Sequence, residues 1–148
     1  MRDLMLRKLL ISLGLLLACA PAAAQFGGTD ELLDPEKAFR ISARALDSRT
    51  VEVEFRIAPG YYMYRDRFSF ATEAGKRLAG VEIPRGRIKE DAFFGKSETF
   101  RAQVRMRVPV SDEDTVRGDI KLKVTSQGCA DLGVCYVPLE QTVRVRLR

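Results

Sequence analysis

The chemistry available to this 148-residue chain depends on its cysteines, since it contains three cysteines and no histidine. Without imidazole there is no Ser-His-Asp or Cys-His catalysis and no histidine-ligated metal, and three thiols cannot complete a four-cysteine zinc site. Cys129 and Cys135 are separated by five residues that include Gly133. This spacing suits a hairpin in which the cysteines face one another within reach of a disulfide. Any chemistry must therefore come from cysteine, carboxylate, tyrosine, lysine or arginine side chains, and we expect no metal and no cofactor.

The third cysteine, Cys19, lies in a segment typical of an export signal. Residues 1–8 are basic, 9–20 are apolar, and 22–24 are three alanines that form a cleavage site. The apolar run is too short to span about 30 Å of hydrocarbon comfortably. We expect residues 1–24 to be a signal peptide and the mature chain to be exported to a compartment where disulfides can persist. In the alternative interpretation, Cys19 belongs to a bacterial lipobox and carries a lipid.

The mature chain has the pattern of β structure almost throughout. Apolar and charged residues alternate, as in Val51–Ile57, which indicates strands with one buried and one solvated face. Candidate strands are 39–46, 50–57, 68–71, 78–83, 99–110, 119–125 and 142–147. About seven short strands favour an all-β, immunoglobulin-like antiparallel β-sandwich, with a closed barrel as the alternative.

The domain boundaries follow from the same pattern. Residues 25–34 are predicted to be a flexible lead-in, and 35–148 form the domain. The only helix expected begins with Asp34 as N-cap and Pro35 at the first helical position.

The charge balance argues against nucleic acid as a partner. The chain has 25 Lys+Arg and 20 Asp+Glu, a net charge of +5. The basic residues are spread along the alternating strands and form no aromatic-basic patch that could follow a phosphate backbone. We interpret the excess as a contribution to solubility.

Physical reasoning leaves two roles open for Cys129 and Cys135. Most disulfides in exported domains are structural, which favours a secreted immunoglobulin-like binding module. Against this, so short a loop removes little unfolded-state entropy, and a domain of about 110 residues has a core of its own. An exposed hairpin disulfide is also open to thiolate attack, which is typical of catalytic bonds. The alternatives are thus a binding module and a thiol–disulfide exchange domain.

Three segments carry a resemblance that separates these alternatives. They are Gln-Gly-Cys-Ala-Asp-x-Gly-x-Cys-Tyr-x-Pro at 127–138, Gly-Tyr-Tyr-Met-Tyr-Arg at 60–65, and Glu-Asp-Ala-Phe-Phe-Gly-Lys-Ser-Glu at 90–98. The sequences of these segments, and their order and spacing along the chain, resemble those of the N-terminal periplasmic domain of DsbD, the thiol:disulfide interchange protein. The resemblance implies an immunoglobulin-like fold and a protein-disulfide reductase that relays electrons.

The resemblance also implies partners and a location. Electrons would come from a thioredoxin-like donor domain, in the same gene product or in trans. They would pass to periplasmic thioredoxin-fold acceptors, namely disulfide isomerases and a protein of cytochrome c maturation. Full-length members continue into a membrane domain, so the chain is expected either to be an excerpt tethered to the inner membrane or to be a free-standing periplasmic domain.

Residue by residue, the resemblance assigns the chemistry to the two cysteines. Cys135 is expected to form mixed disulfides with partners, and Cys129 to resolve them. Phe93 matches the cap-loop aromatic that covers the disulfide. Phe94 is expected to be more core-like, and Gly95 to end the loop.

Polar residues of the site are implied in the same way. Asp91 matches an acidic residue that could exchange protons with the thiols or oppose thiolate formation by repulsion. Tyr62 and Tyr64 match tyrosines that line the site. Ala92 departs from the family pattern, which has an acidic residue there, so a scheme with two carboxylates is not carried over.

Overall fold

Antiparallel strands form most of the described chain, which is residues 31–147 of a computed structural model. A short helix, α1 (Pro35–Ala38), comes first. The strands that follow are β1 (Phe39–Ala45), β2 (Thr50–Ile57), β3 (Tyr61–Tyr64), β4 (Ser69–Thr72), β5 (Arg87–Asp91), β6 (Gly95–Phe100), β7 (Gln103–Pro109), β8 (Asp119–Ser126), β9 (Gly128–Ala130), β10 (Val134–Cys135) and β11 (Leu139–Arg146). The predicted signal peptide, the Cys19 alternative and residues 25–30 of the predicted lead-in lie outside the described residues.

The strands are arranged in three sheets, all with antiparallel pairing. Their orders are β1-β2-β7, β11-β8-β4 and β10-β9-β3-β6-β5. Only Gln127 separates β8 from β9, so the second sheet runs directly into the five-stranded one. Each sheet ends in edge strands, as an open sandwich requires. The predicted immunoglobulin-like sandwich is therefore confirmed over the barrel alternative.

The hydrophobic core forms between the apolar faces of these sheets. The alternating residues of β2, β7 and β8 are buried on one side, as their period of two predicts. Val53, Met106 and Leu122 are completely buried, whereas the charged residues between them face outward. The core thus fixes which face each strand presents to solvent.

Two predicted strands differ from the structure. Residues 78–83 form no strand; isolated bridges join Ala71 to Arg77 and Glu82 to Arg107. Gly80 lies between them with φ of +71°, which interrupts an extended backbone. The predicted strand 99–110 is divided into β6 and β7, because Ala102 has φ of +60° and the chain passes there from one sheet to another.

The start of the domain is better tied down than the predicted lead-in. Asp34 and Pro35 take the helix-start positions that the sequence predicts. Leu32 packs against the core, and the Leu33 N–H donates to the Tyr61 hydroxyl at 2.8 Å. The Tyr136 hydroxyl donates to the Leu33 carbonyl at 2.5 Å. Order in the domain therefore begins before residue 35.

Candidate redox-active site

The two faces of the central strand β3 pack into different hydrophobic clusters. Tyr61 and Met63 point into the main core, whereas Tyr62 and Tyr64 form a second buried cluster with Cys129. Such alternation is the normal consequence of a pleated strand. The sequence Tyr-Tyr-Met-Tyr hides it, because all four residues are buried.

Strand register brings the site together on one face of the five-stranded sheet. Tyr62 pairs with Cys129, which pairs in turn with Cys135. Tyr64 pairs with Thr99 of β6, whose own partner on β5 is Arg87. Directly paired residues in antiparallel strands share a face. The cysteine hairpin and the β5–β6 hairpin therefore flank the two tyrosines.

Cys129 and Cys135 form a disulfide across the β9–β10 hairpin, as their spacing allows. The hairpin turns at Gly133, which has φ of +84°, a conformation that favours glycine. Cys129 is completely buried, whereas Cys135 is half-buried at the edge of the sheet. Of the two cysteines, only Cys135 is therefore partly exposed to solvent.

The hydroxyl of Tyr64 is the polar group nearest the disulfide among the hydrogen bonds of the described residues. Its oxygen lies 3.2 Å from Cys129 Sγ and 3.9 Å from Cys135 Sγ. It donates its proton to Asp91 Oδ2 at 2.7 Å. Burial, followed by the neighbouring Tyr62 and Asp91, raises the pKa of Tyr64 well above its ordinary value, so the hydroxyl remains protonated.

Asp91 is a buried carboxylate whose oxygens are well supplied with donors. Its side chain is 7% exposed. Oδ1 accepts the backbone N–H groups of Phe93 and Phe94 at 3.0 and 2.9 Å, and the Tyr62 hydroxyl donates to Oδ2 at 3.3 Å. Burial by itself would raise the pKa of Asp91, but these hydrogen bonds and the nearby Lys89 lower it below its ordinary value. Asp91 is therefore ionised at neutral pH.

The cap loop places its two phenylalanines differently. Phe94 is half-buried, packs edge-on against Tyr64 with ring centroids 4.7 Å apart, and belongs to the cluster around Cys129 and Cys135. Arg67 covers the Phe94 ring at 4.1 Å. Phe93 is 49% exposed. Gly95, with φ of +64°, ends the loop and begins β6.

Two charged residues near the site were not identified from the sequence. Arg101 and Asp131 form a two-pronged ion pair with N–O distances of 2.9 and 2.7 Å. Asp131 lies in the cysteine hairpin, and its N–H also donates to the Gly60 carbonyl. The two residues are 30 positions apart in the sequence, so no local sequence pattern predicts their ion pair.

Cationic side chains also surround Tyr62. Lys89 Nζ lies 4.6 Å and the Arg101 guanidinium 5.1 Å from the centre of its ring. Such contacts hold the aromatic ring beside Cys129 and place positive charge on the redox face, which is the face of the five-stranded sheet that carries Tyr62, Tyr64 and the disulfide.

Within residues 31–147, no three carboxylate or thiol side chains are grouped as metal ligands would be. None of the helices in that range has the length and hydropathy of a membrane span. The fold and site together define an immunoglobulin-like domain with a redox-capable cysteine pair.

Comparisons with known proteins identify the family within this class. Residues 29–147 match the family described as thiol:disulfide interchange protein DsbD, N-terminal. The DsbD of Ralstonia nicotianae is 47% identical over 139 residues, covering 92% of this chain and 22% of that protein. DsbD 1 of Pseudomonas aeruginosa is 37% identical, covering 80% of this chain and 20% of that protein. The chain belongs to the DsbD N-terminal family and spans about a fifth of these relatives.

Solved structures agree with this assignment. The crystal structure of the Neisseria meningitidis DsbD N-terminal domain in the reduced form has a TM-score of 0.68 and 35% identity, covering 80% of this chain and 93% of that one. The complex between the DsbD N-terminal and PilB N-terminal domains from the same organism has a TM-score of 0.62 and 36% identity, covering 77% and 87%. The predicted family and fold are thereby confirmed.

Proposed function

We propose that this chain is a periplasmic thiol:disulfide oxidoreductase domain that relays electron pairs through Cys129 and Cys135. The donor is a thioredoxin-like domain, and the acceptors are periplasmic thioredoxin-fold proteins, including disulfide isomerases and a protein of cytochrome c maturation. The observation that carries the proposal is the disulfide between one fully buried and one partly exposed cysteine. Membership in the DsbD N-terminal family supports it, as does the PilB complex of the Neisseria relative.

Reduction of the domain takes two exchange steps. A donor thiolate attacks Cys135 Sγ, the disulfide breaks, and Cys129 leaves as a thiolate that takes up a proton. The second donor thiolate then attacks its partner sulfur in the mixed disulfide and releases Cys135. The donor is oxidised to a disulfide, and the domain gains two electrons.

Delivery to an acceptor reverses these steps. The Cys135 thiolate attacks the acceptor disulfide and forms a mixed disulfide. Cys129 then gives up its proton, which the thiolate released from the acceptor can take up, and attacks Cys135 Sγ as a thiolate. The second acceptor sulfur leaves and is protonated, so the acceptor departs as a dithiol and the disulfide of the domain is restored.

The surroundings of the two sulfurs support this division of labour. Complete burial disfavours a thiolate at Cys129, and so does the negative charge of Asp91, which is linked to Cys129 through the Tyr64 hydroxyl. The Tyr64 O–H group donates its hydrogen bond to Asp91, so the oxygen presents its lone pairs toward Cys129. Cys129 is therefore kept as a thiol until Cys135 has reacted. Tyr64 thus offers an acceptor to the Cys129 S–H, and Asp91 opposes its ionisation by negative charge. The Tyr62 hydroxyl donates a further hydrogen bond to Asp91.

The cap loop shields the disulfide from small oxidants and reductants in this proposal. Phe94 contributes packing against the tyrosine cluster, and the half-exposed Phe93 contributes the outer cover. Phe93→Ala should speed reduction by small thiols several-fold, and an unchanged rate removes the shielding role of Phe93. Phe94→Ala is the matched variant: if it alone speeds the reaction, Phe94 is the shield.

Serine variants test the relay itself. Cys135→Ser should abolish trapping of an oxidised thioredoxin-fold partner as a mixed disulfide, whereas Cys129→Ser, whose Cys135 thiolate can open the partner disulfide but is not resolved by a second thiol of the domain, should stabilise the trapped complex. Both products can be resolved on non-reducing gels after acid quenching. If neither variant traps a partner and both still transfer electrons normally, the proposal is wrong.

The reduction potential separates the relay from the alternative role as a binding module. A value well below about −300 mV would indicate a structural bond that resists physiological reductants. The proposed relay requires a less negative value, measured by equilibration with glutathione buffers.

A further inference from the structure

A basic groove lies at the β5 edge of the five-stranded sheet, opposite the edge that carries Cys135. It is about 590 Å³ in volume and is lined by residues of β5 and of the end of β6, including Arg85, Arg87, Lys89 and Arg101. Every charged residue that lines it is basic. A single sign of charge in a concave surface raises the local concentration of opposite charge.

Register shows that two basic residues of the groove, Arg87 and Lys89, share a face with the disulfide. Arg87 pairs with Thr99, which pairs with Tyr64, and Tyr64 lies two residues along β3 from Tyr62, the partner of Cys129. Residues two apart on a strand point to the same side. Arg87 and Lys89 therefore extend toward the β5 edge the same face of the sheet that a thiol partner approaches at Cys135.

The positive charge of the groove is only partly compensated. Arg101 is paired with Asp131, but Arg85 and Arg87 are exposed and make no ion pair with any residue in the described range. Glu98 is paired with Ile88 and so lies on the opposite face of the sheet from Arg87. The Glu98 carboxylate contacts Arg65 there. Asp91 shares the redox face, but its oxygens are occupied by hydrogen bonds. Arg85 and Arg87 are thus available to an external acidic group.

We propose that the Arg85–Arg87 groove docks an acidic segment of the thiol partner while the partner's cysteine reacts at Cys135. The inference rests on the proposed function and adds a requirement for the partner. Cys135 on β10 and Arg87 on β5 are four strand steps apart, or about 20 Å at the usual spacing between strands. The acidic segment must therefore lie about 20 Å from the reacting cysteine.

Synthetic peptides provide a direct probe of this geometry. Each carries one cysteine, a Gly/Ser spacer of about six residues, which spans about 20 Å when extended, and a terminal triplet of glutamate, lysine or glutamine. The first peptide thiolate opens the disulfide at Cys135 and forms a mixed disulfide. A second peptide thiolate releases Cys135, which leaves one peptide disulfide and the reduced domain.

The wild-type domain should react about tenfold faster with the glutamate than with the lysine peptide at low salt, and the ratio should approach one near 1 M salt. Arg85→Glu/Arg87→Glu should abolish or invert the preference. Arg49→Glu/Arg117→Glu changes the net charge equally at two exposed turn positions outside the five-stranded sheet, and it should keep the preference.

Docking and electron relay can fail separately in these measurements. Equal rates for the two charged peptides in the wild type, or equal loss of preference in both double variants, would overturn the docking groove while the relay stands. If no peptide reduces the wild type, cap-loop shielding accounts for that result, and the relay is judged by the serine variants and the reduction potential. A glutamate peptide with serine in place of cysteine then decides the groove by NMR, since docking requires shifts in the Arg87 and Lys89 amides.

Discussion

The hydroxyl oxygen of Tyr64 lies 3.2 Å from the sulfur of Cys129, in a cluster that excludes solvent. The same hydroxyl donates to Asp91 at 2.7 Å. Tyr64 thus links a buried carboxylate to the buried member of the cysteine pair, and its removal should affect both stability and redox equilibrium.

Tyr64→Phe should destabilise the fold by about 1–3 kcal/mol, because the buried Asp91 loses a donor. It should also shift the equilibrium with glutathione toward the disulfide by about threefold, since the reduced Cys129 loses the oxygen that accepts its S–H. Urea unfolding and redox titration measure the two effects.

Tyr61→Phe is the matched control on the same strand. Its hydroxyl accepts the Leu33 N–H on the core side of β3 and is absent from the cysteine cluster. It should lower stability and leave the redox equilibrium unchanged. An equal redox shift in both variants would contradict the role assigned to Tyr64.

Asp91→Asn should make the free energy of unfolding depend less steeply on pH in the acid range. The pKa of Asp91 is lower in the folded domain than its ordinary value of 3.8, so its contribution is fully present above that value. The contribution is lost as the pH falls through the lowered pKa. Urea midpoints between neutral pH and the acid transition should therefore decline less in the variant than in the wild type. Asp66→Asn, with an 81% exposed side chain, should leave the curve unaltered.

Breaking the Arg101–Asp131 pair should loosen the cysteine hairpin. A double-mutant cycle with alanine at both positions should give a coupling of about 0.5–1 kcal/mol, since both side chains are nearly half exposed. Either single variant should also speed reduction by dithiothreitol. The Arg105–Glu54 pair on β7 and β2 has a comparable distance of 2.8 Å and serves as the control, with no expected change in that rate.

Gly128→Ala should cost about 1–3 kcal/mol through overpacking. A Cβ at Gly128 would overlap the Phe39 ring and the Tyr62 carbonyl. Gly133→Ala meets no atom within 4 Å and suffers only the strain of its positive φ, so its cost should be about 1 kcal/mol. Thermal unfolding of the two variants compares steric overlap with backbone strain. A larger loss for Gly133→Ala would contradict this packing argument.

Local patterns in the sequence predict the parts of this fold whose causes are local. The alternation in β2 and β8 identifies strands and their buried faces, and the spacing of Cys129 and Cys135 identifies a hairpin. β3 is missed because both of its faces are buried, so no polar residue marks its period. β5 is missed because an edge strand of charged residues resembles a loop.

The site required information that no local pattern holds. The resemblance names Asp91, Tyr62 and Tyr64, but only the register of three separate strands places them against Cys129. The Arg101–Asp131 pair depends on a turn at Ala102 between two sheets. Long-range pairing of this kind is decided by packing of the whole domain.

The hydrogen bond from Tyr136 to Leu33 joins residues 103 positions apart, next to the reactive Cys135. Synthesis proceeds from the N-terminus, so Leu33 exists long before its partner. The cysteine hairpin gains this support only when nearly the whole domain has been made. The cysteines also follow every strand of the five-stranded sheet except their own. Both cysteines are therefore made after the other strands of their sheet, and their disulfide can close only when almost the whole domain has been synthesised.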